Sequence, residues 1–304
     1  GLGDVYKRQA IPTVLTMTVV PILGAGSSMA DYRIGFKWWA LIIAVVFVIS
    51  ELVCVACVPE RPVACDEKPG KISDMFKALF KNDQAMTVVV SIILVYTSLN
   101  ICGNLVLYFF RFDVGNEGAY SIFAAVAFAA QVLVMMVIPL LRKRFSKSRL
   151  FISGFIIQIA GFAVILIMAF AKLYTPQSWY ILCLPGILIY LGYGMLNVIM
   201  TIFLSDSVDY GEVMNGTREE SVIFSMQTFT VKLASGVAVF LAGLVVDWIH
   251  LDTAAAVQTQ DTLNALRMWM TIPSVILLIV GIFVFKRFYK LDDTRMEEIK
   301  SKLN

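Results

Sequence analysis

Lys232 is the residue of this sequence hardest to explain as structure. It stands eleven residues into an apolar stretch, 221–249, about 16 Å along a helix at 1.5 Å per residue. A charge that deep in a bilayer costs about 2.5–3.5 kcal/mol on insertion scales, and its stem is too short to snorkel comfortably to the interface. It calls for an aqueous cavity or a carboxylate partner. The structural alternative is a lysine neutralised inside a helix interface. Gln227 and Thr228 come one turn earlier, with Thr228 at i−4 on the same face. Glu51 lies eight residues before Pro59 in another apolar stretch. It reads either as a proton or cation group or as a protonated, packed carboxylate.

Two polar stripes accompany these charges. Tyr96, Asn100 and Asn104 recur at i, i+4 and i+8, and Tyr190, Tyr193 and Asn197 form a similar face further on. Each stripe alone fits ordinary interhelical hydrogen bonding. Together they suit a cavity for a sugar, whose hydroxyls and C–H faces pair with amides, phenols and rings. A fourth cluster follows: segment 205–220 holds five carboxylates and Arg218, with Asp206, Asp209 and Glu212 spaced by three. They start along one face if a helix continues there. Such acids either pair with basic residues of another loop and latch one side shut, or sit in a solvated loop.

The elements that must position these residues are membrane helices. The chain has 304 residues, 59% hydrophobic and 15% charged, with a mean hydropathy of +0.80. Soluble domains average about 45–50% apolar and about 25% charged residues. Eight stretches approach the roughly 20 apolar residues a span needs: 10–30, 38–58, 85–110, 119–141, 150–171, 179–204, 221–249 and 268–285. Residues 1–9 read as a non-native scar. Segments 59–84, 142–149, 205–220 and the tail 286–304 carry 17 Lys and Arg, whereas the alternating set 31–37, 111–118, 172–178 and 247–267 carries five. The basic set should be cytoplasmic. Loop 59–84 contains Ile72, Met75, Phe76, Leu79 and Phe80 at helical spacing, which predicts a surface amphipathic helix, and it forms the internal boundary. Residues 10–58 read as the last two helices of one six-helix half, 85–288 as a second, complete half, and 289–304 as a cytoplasmic tail.

Several classes are disfavoured. His250 is the only histidine, so multi-histidine metal sites are out. Cys54 and Cys57 have C-x-x-C spacing without a second pair. No HExxH or GxSxG motif occurs, which argues against an enzyme. A net charge of +3 does not suggest nucleic-acid binding.

Three runs carry a resemblance: Asp206-Ser207-Val208-Asp209-Tyr210-Gly211-Glu212; Gly216-Thr217-Arg218-Glu219-Glu220-Ser221; and Phe224-Ser225-Met226-Gln227-Thr228-Phe229-Thr230-Val231-Lys232-Leu233. They resemble the glycoside–pentoside–hexuronide:cation symporter family, of which melibiose permease is a member, within the major facilitator superfamily. The resemblance covers the family's helices five to twelve, from about residue 10 to the tail. It implies an all-α membrane protein with a major facilitator fold, N-terminally truncated, with about eight transmembrane helices. It implies symport of a sugar or glycoside with Na⁺, H⁺ or Li⁺ by alternating access across the plasma (inner) membrane, without a resident cofactor. Lys232 falls on the family's lysine beside the cation and sugar sites, and Gln227 and Thr228 on its cavity-lining pair. Asp206, Asp209, Glu212 and Arg218 fall on its cytoplasmic gate motif. The family's first four helices, which carry further carboxylates, have no counterpart here, so the chain is expected to be a fragment that does not transport alone. The alternatives are a related carrier of lipids or other organic solutes, and an inactive fragment.

Overall fold

A computed structural model describes residues 29–57, 80–216, 220–253 and 257–303, together with Val19, Leu23 and Ala255. The chain divides into two compact units, Gly1–Gly70 and Lys71–Asn304. The expected span 10–30 falls almost wholly outside the described residues. So do Arg218 and, apart from Phe80, the amphipathic stretch 72–80.

The first unit contributes α1, Met29–Cys57. Its most apolar 18-residue window has a mean hydropathy of 2.8, and Phe47, Leu52 and Val55 point outward. A helix that apolar on its exterior belongs in lipid or against other membrane helices. The stretch 31–37, expected as a loop, is helical. It contains no proline, and its polar residues sit at a helix end, where an interface tolerates them. Glu51 is exposed on α1.

The second unit is a helical bundle. Helix α2 (Asp83–Tyr108) runs on into a π-helical turn, Phe109–Val114, which ends at Gly115 with φ +75°. Then come α3 (Ala119–Leu141), α4 (Lys147–Phe170), a 3₁₀ turn at Trp179–Leu182, and α5 (Cys183–Asn215). Helices α6 (Glu220–Trp248), α7 (Gln260–Phe288) and the short α8 (Asp293–Leu303) complete it. Seven helices among the described residues, α1 to α7, are long and apolar enough to cross a membrane.

Helix ends are fixed by side chains that satisfy open backbone groups. Asn82 accepts from Ala85 N at 2.9 Å and donates to the Ser207 carbonyl at 2.8 Å, tying the start of α2 to α5. Ser146 caps α4 and Thr259 caps α7. The segment 205–220, expected as a loop, is a correction. Helix α5 continues to Asn215 and stops where Gly216 takes a φ of +73°. It continues because Asp206, Ser207 and Val208 are buried there against neighbouring helices. Likewise Lys147 and Arg149 belong to α4, and Arg267 to α7, rather than to loops.

Within this unit, α2 and α5 are the most buried of the spanning helices, and α6 is the least. Helix α5 packs on α3 and α4, while α2 packs on α6 and α7. Two glycines set how closely α5 approaches its neighbours. A Cβ at Gly192 would stand 2.6 Å from the backbone nitrogen of Gln158 and the carbonyl oxygen of Gly154. A Cβ at Gly194 would stand 2.6 Å from Val134 Cγ1. Small residues allow this backbone approach in membranes, where packing rather than water drives association. Tyr193 is held between the two contacts.

Gly192→Ala should destabilise the bundle by about 1–3 kcal/mol through overpacking. Gly103→Ala, with no atom within 4 Å of its new Cβ, should be neutral or mildly stabilising. Unfolding titrations of both variants in detergent test this, and equal stabilities would contradict it.

Candidate functional site

The two polar stripes meet. Asn197 Nδ2 on α5 donates to the Tyr96 hydroxyl on α2 at 2.6 Å. The Tyr96 ring lies edge-on to Tyr193 with centroids 5.6 Å apart, and Tyr190 continues the set at 6.4 Å from Tyr193. Tyr193 and Asn197 are buried. Asn100 and Asn104 behave differently. Each donates its amide hydrogen to the carbonyl one turn earlier on α2, Asn100 to Tyr96 and Asn104 to Asn100, both at 2.7 Å. Their Oδ1 atoms are left as acceptors along a half-buried face.

Helix α6 runs beside α2 in the same direction. One cavity brings Ile93, Thr97 and Ile101 against Val237 and Leu241, and a second brings Asn104 and Tyr108 against Val239–Asp247. This register puts Lys232 about one helical turn nearer the Asp83 end than Tyr96. Lys232 and Thr228 are exposed and Gln227 is half-buried. The Thr228 hydroxyl donates to the Phe224 carbonyl at 3.2 Å. No ion pair to Lys232 occurs among the described residues. Its side chain is exposed on α6.

At the basic end, Asp206 is buried and paired with buried Lys147 at the start of α4. Lys147 Nζ also lies 3.6 Å from Asp293 Oδ1, and Arg142 reaches the same oxygen at 3.5 Å. The partner of Asp206 is thus in its own bundle, and the network joins α3, α4, α5 and α8. Asp209 and Glu212 follow on α5, half-buried. Arg218 lies outside the described residues. Burial, reinforced by Asp206 and Asp293, holds the Tyr289 hydroxyl well above its ordinary pKa, so it stays protonated.

The opposite end holds a cluster the sequence reading missed. Arg267 on α7 makes a two-point bond to Asp113 in the π turn, Nε to Oδ2 at 2.7 Å and Nη2 to Oδ1 at 2.6 Å. The Tyr174 hydroxyl donates to the same carboxylate at 2.7 Å. The two charged side chains are 3% and 4% exposed. Burial first, and then Asp113, raises the Tyr174 pKa, keeping the phenol a donor. Arg267 had been counted as a loop charge and Asp113 lay within an expected loop. They stand 154 residues apart, and no local pattern joins them.

Across residues 8–293 the chain matches the family described as MFS/sugar transport protein. It belongs to that family. It is 24% identical to the uncharacterized symporter YjmB of Bacillus subtilis, covering 96% of this chain and 61% of the relative. It is 23% identical to the raffinose carrier protein of Pediococcus pentosaceus, covering 95% of this chain and 45% of the relative. To the isoprimeverose transporter of Lactiplantibacillus pentosus it is 26% identical, covering 93% and 57% respectively. The chain thus spans about half the length of the curated relatives it matches. These relatives are transporters, not enzymes, and the chain is a multi-pass membrane protein.

Asp113→Ala should cost about 3–5 kcal/mol, because it strands a buried guanidinium. The double variant Asp113→Leu/Arg267→Met should recover at least half of that loss. A double-mutant unfolding cycle in detergent checks the coupling, and simple additivity would contradict it.

Proposed function

We propose that this chain is the C-terminal portion, helices five to twelve, of a secondary carrier. The carrier moves a sugar or glycoside together with Na⁺, H⁺ or Li⁺ by alternating access. The observation that carries the proposal is the junction of Tyr96, Tyr193 and Asn197, together with Lys232 exposed on α6, which packs on the same α2. Phenols, amides and a fixed cation along one open face can bind hydroxyl groups in water without leaving a buried polar group unpaired when the site empties. The names of the raffinose, isoprimeverose and lactose relatives support a sugar as cargo.

In this reading Tyr193, Asn197, Asn100, Asn104, Gln227 and Thr228 line the sugar path. Lys232 is the charge that responds to the coupling cation. It supplies a positive group whose cost is lowered when carboxylates of the preceding helices face it, so that cation arrival and sugar binding are linked through one shared electrostatic field. The basic end is cytoplasmic in the inner membrane. Asp206, Asp209, Glu212 and Arg218 stabilise closure of that side, with Asp206 held in place by Lys147. Residues 10–58 end the N-terminal half, 59–84 form the central loop, 85–288 form the C-terminal half and 289–304 the tail. The cation is cargo rather than a resident cofactor.

Proteoliposomes containing the complete carrier, with the preceding helices supplied from upstream coding sequence, should accumulate raffinose or lactose under an inward cation gradient. Lys232→Ala should lower uptake about tenfold or more, the scale of a lost charge-assisted hydrogen bond. The 304-residue chain alone should give background uptake. Accumulation by that chain alone, or full activity of Lys232→Ala, would contradict the proposal.

A further inference from the structure

The polar stripe on α2 does not end at Asn104. Tyr108 stands four residues on, so the face reads Tyr96, Asn100, Asn104, Tyr108 at every helical turn. One exposed stripe of α6 is equally regular: Lys232, Gly236, Val239, Gly243 and Asp247 follow one another at helical spacing. Cβ atoms placed at Gly236 or Gly243 would meet nothing within 4 Å. The stripe is therefore open along its glycines, with an ammonium group at one end and a carboxylate at the other. Fifteen residues separate Lys232 from Asp247, about 22 Å along the axis. At the Asp247 end the stripe borders a cavity of 530 Å³ whose lining includes Asn104, Tyr108, Gly243 and Asp247.

We infer that this cavity is an outer subsite for a neutral polyhydroxy ligand, a sugar or glycoside, with Asp247 as its main anchor. The inference rests on the carrier reading above and extends it to a second, more external stop on the path. Asp247 is exposed, so its carboxylate stays hydrated when the cavity is empty and exchanges water for hydroxyl groups at little cost. Its two oxygens accept a pair of neighbouring hydroxyls. Asn104 Nδ2 is committed to the Asn100 carbonyl, which leaves Oδ1 to accept from a third. The Tyr108 phenol both donates and accepts. Gly243 opens the floor to the breadth of a sugar ring. A bare hard cation fits this lining less well, since such ions take six or more oxygens and only three oxygen-bearing side chains line the cavity.

The test uses the complete carrier with its native cysteines replaced by alanine and Gly243→Cys as reporter. Labelling by a membrane-impermeant maleimide is timed with and without raffinose, and with glycine betaine as osmotic control. Raffinose should slow labelling about tenfold, and adding Asp247→Asn should abolish the protection. Protection that survives Asp247→Asn combined with Asn104→Leu overturns the subsite. So does unprotected labelling while equilibrium dialysis shows raffinose bound elsewhere on the carrier. If dialysis shows neither raffinose nor lactose bound at all, the carrier reading falls and the subsite falls with it. In the carrier with native cysteines, Asp247→Asn should raise KM for uptake about tenfold at an unchanged maximal rate. An unchanged KM overturns the proposal even if the alanine background fails to fold.

Discussion

Helix α5 is gripped on two sides by contacts too close for any side chain. At Gly192 its backbone meets α4, and two residues later, at Gly194, it meets α3. A helix clamped in this way cannot rotate about its axis or slide along it without overlap. That immobility reaches Tyr193 between the clamps and Asn197 one turn on, and so fixes where the Tyr96 hydroxyl of α2 finds its partner. In lipid there is little hydrophobic force between helices, so close packing and interhelical hydrogen bonds must hold them together. The Tyr96–Asn197 junction is both the end product of the glycine contacts and the place where two otherwise separate polar faces become one.

The same constraint, that polar groups in hydrocarbon need internal partners, divides the charges of the bundle into two kinds. Lys147 with Asp206 and Arg267 with Asp113 are buried, paired and placed near opposite ends of the spans. They pin helix ends to one another. Lys232 and Asp247 are exposed and stand on α6, the least buried spanning helix of the second unit. A rigid scaffold of α2 to α5 and α7 thus carries one helix whose polar face remains open. This is the arrangement a carrier needs if one half is to move as a body around a wet path.

Much of this was legible in the sequence. The bilayer cost of Lys232 and the four-residue recurrence of Tyr96, Asn100 and Asn104 are local signals, and hydropathy placed α2 to α7, though α5 runs eleven residues past its expected end and α7 starts eight residues before its expected start. What failed was local in a different sense. Asp206, Asp209 and Glu212 look like loop residues by polarity, yet they are helical because α5 runs beyond the apolar segment and buries Asp206 against Lys147. The Asp113–Arg267–Tyr174 cluster was invisible because it joins three distant segments, and counting charges by loop hides a pair that neutralises itself. The hydrogen bonding of Asn100 and Asn104 was half legible. They share one half-buried helix face, as their spacing implies, but their amide hydrogens are spent on their own helix.

The central claim is that water reaches the α6 face at the depth of Lys232. Accessibility of Lys232→Cys to a charged, membrane-impermeant thiol reagent in the complete carrier measures it directly. The account predicts labelling from at least one side of the membrane, slowed by a bound sugar. A cysteine at position 232 that stays unlabelled from both sides, with sugar and without, in a carrier that still folds, would contradict it.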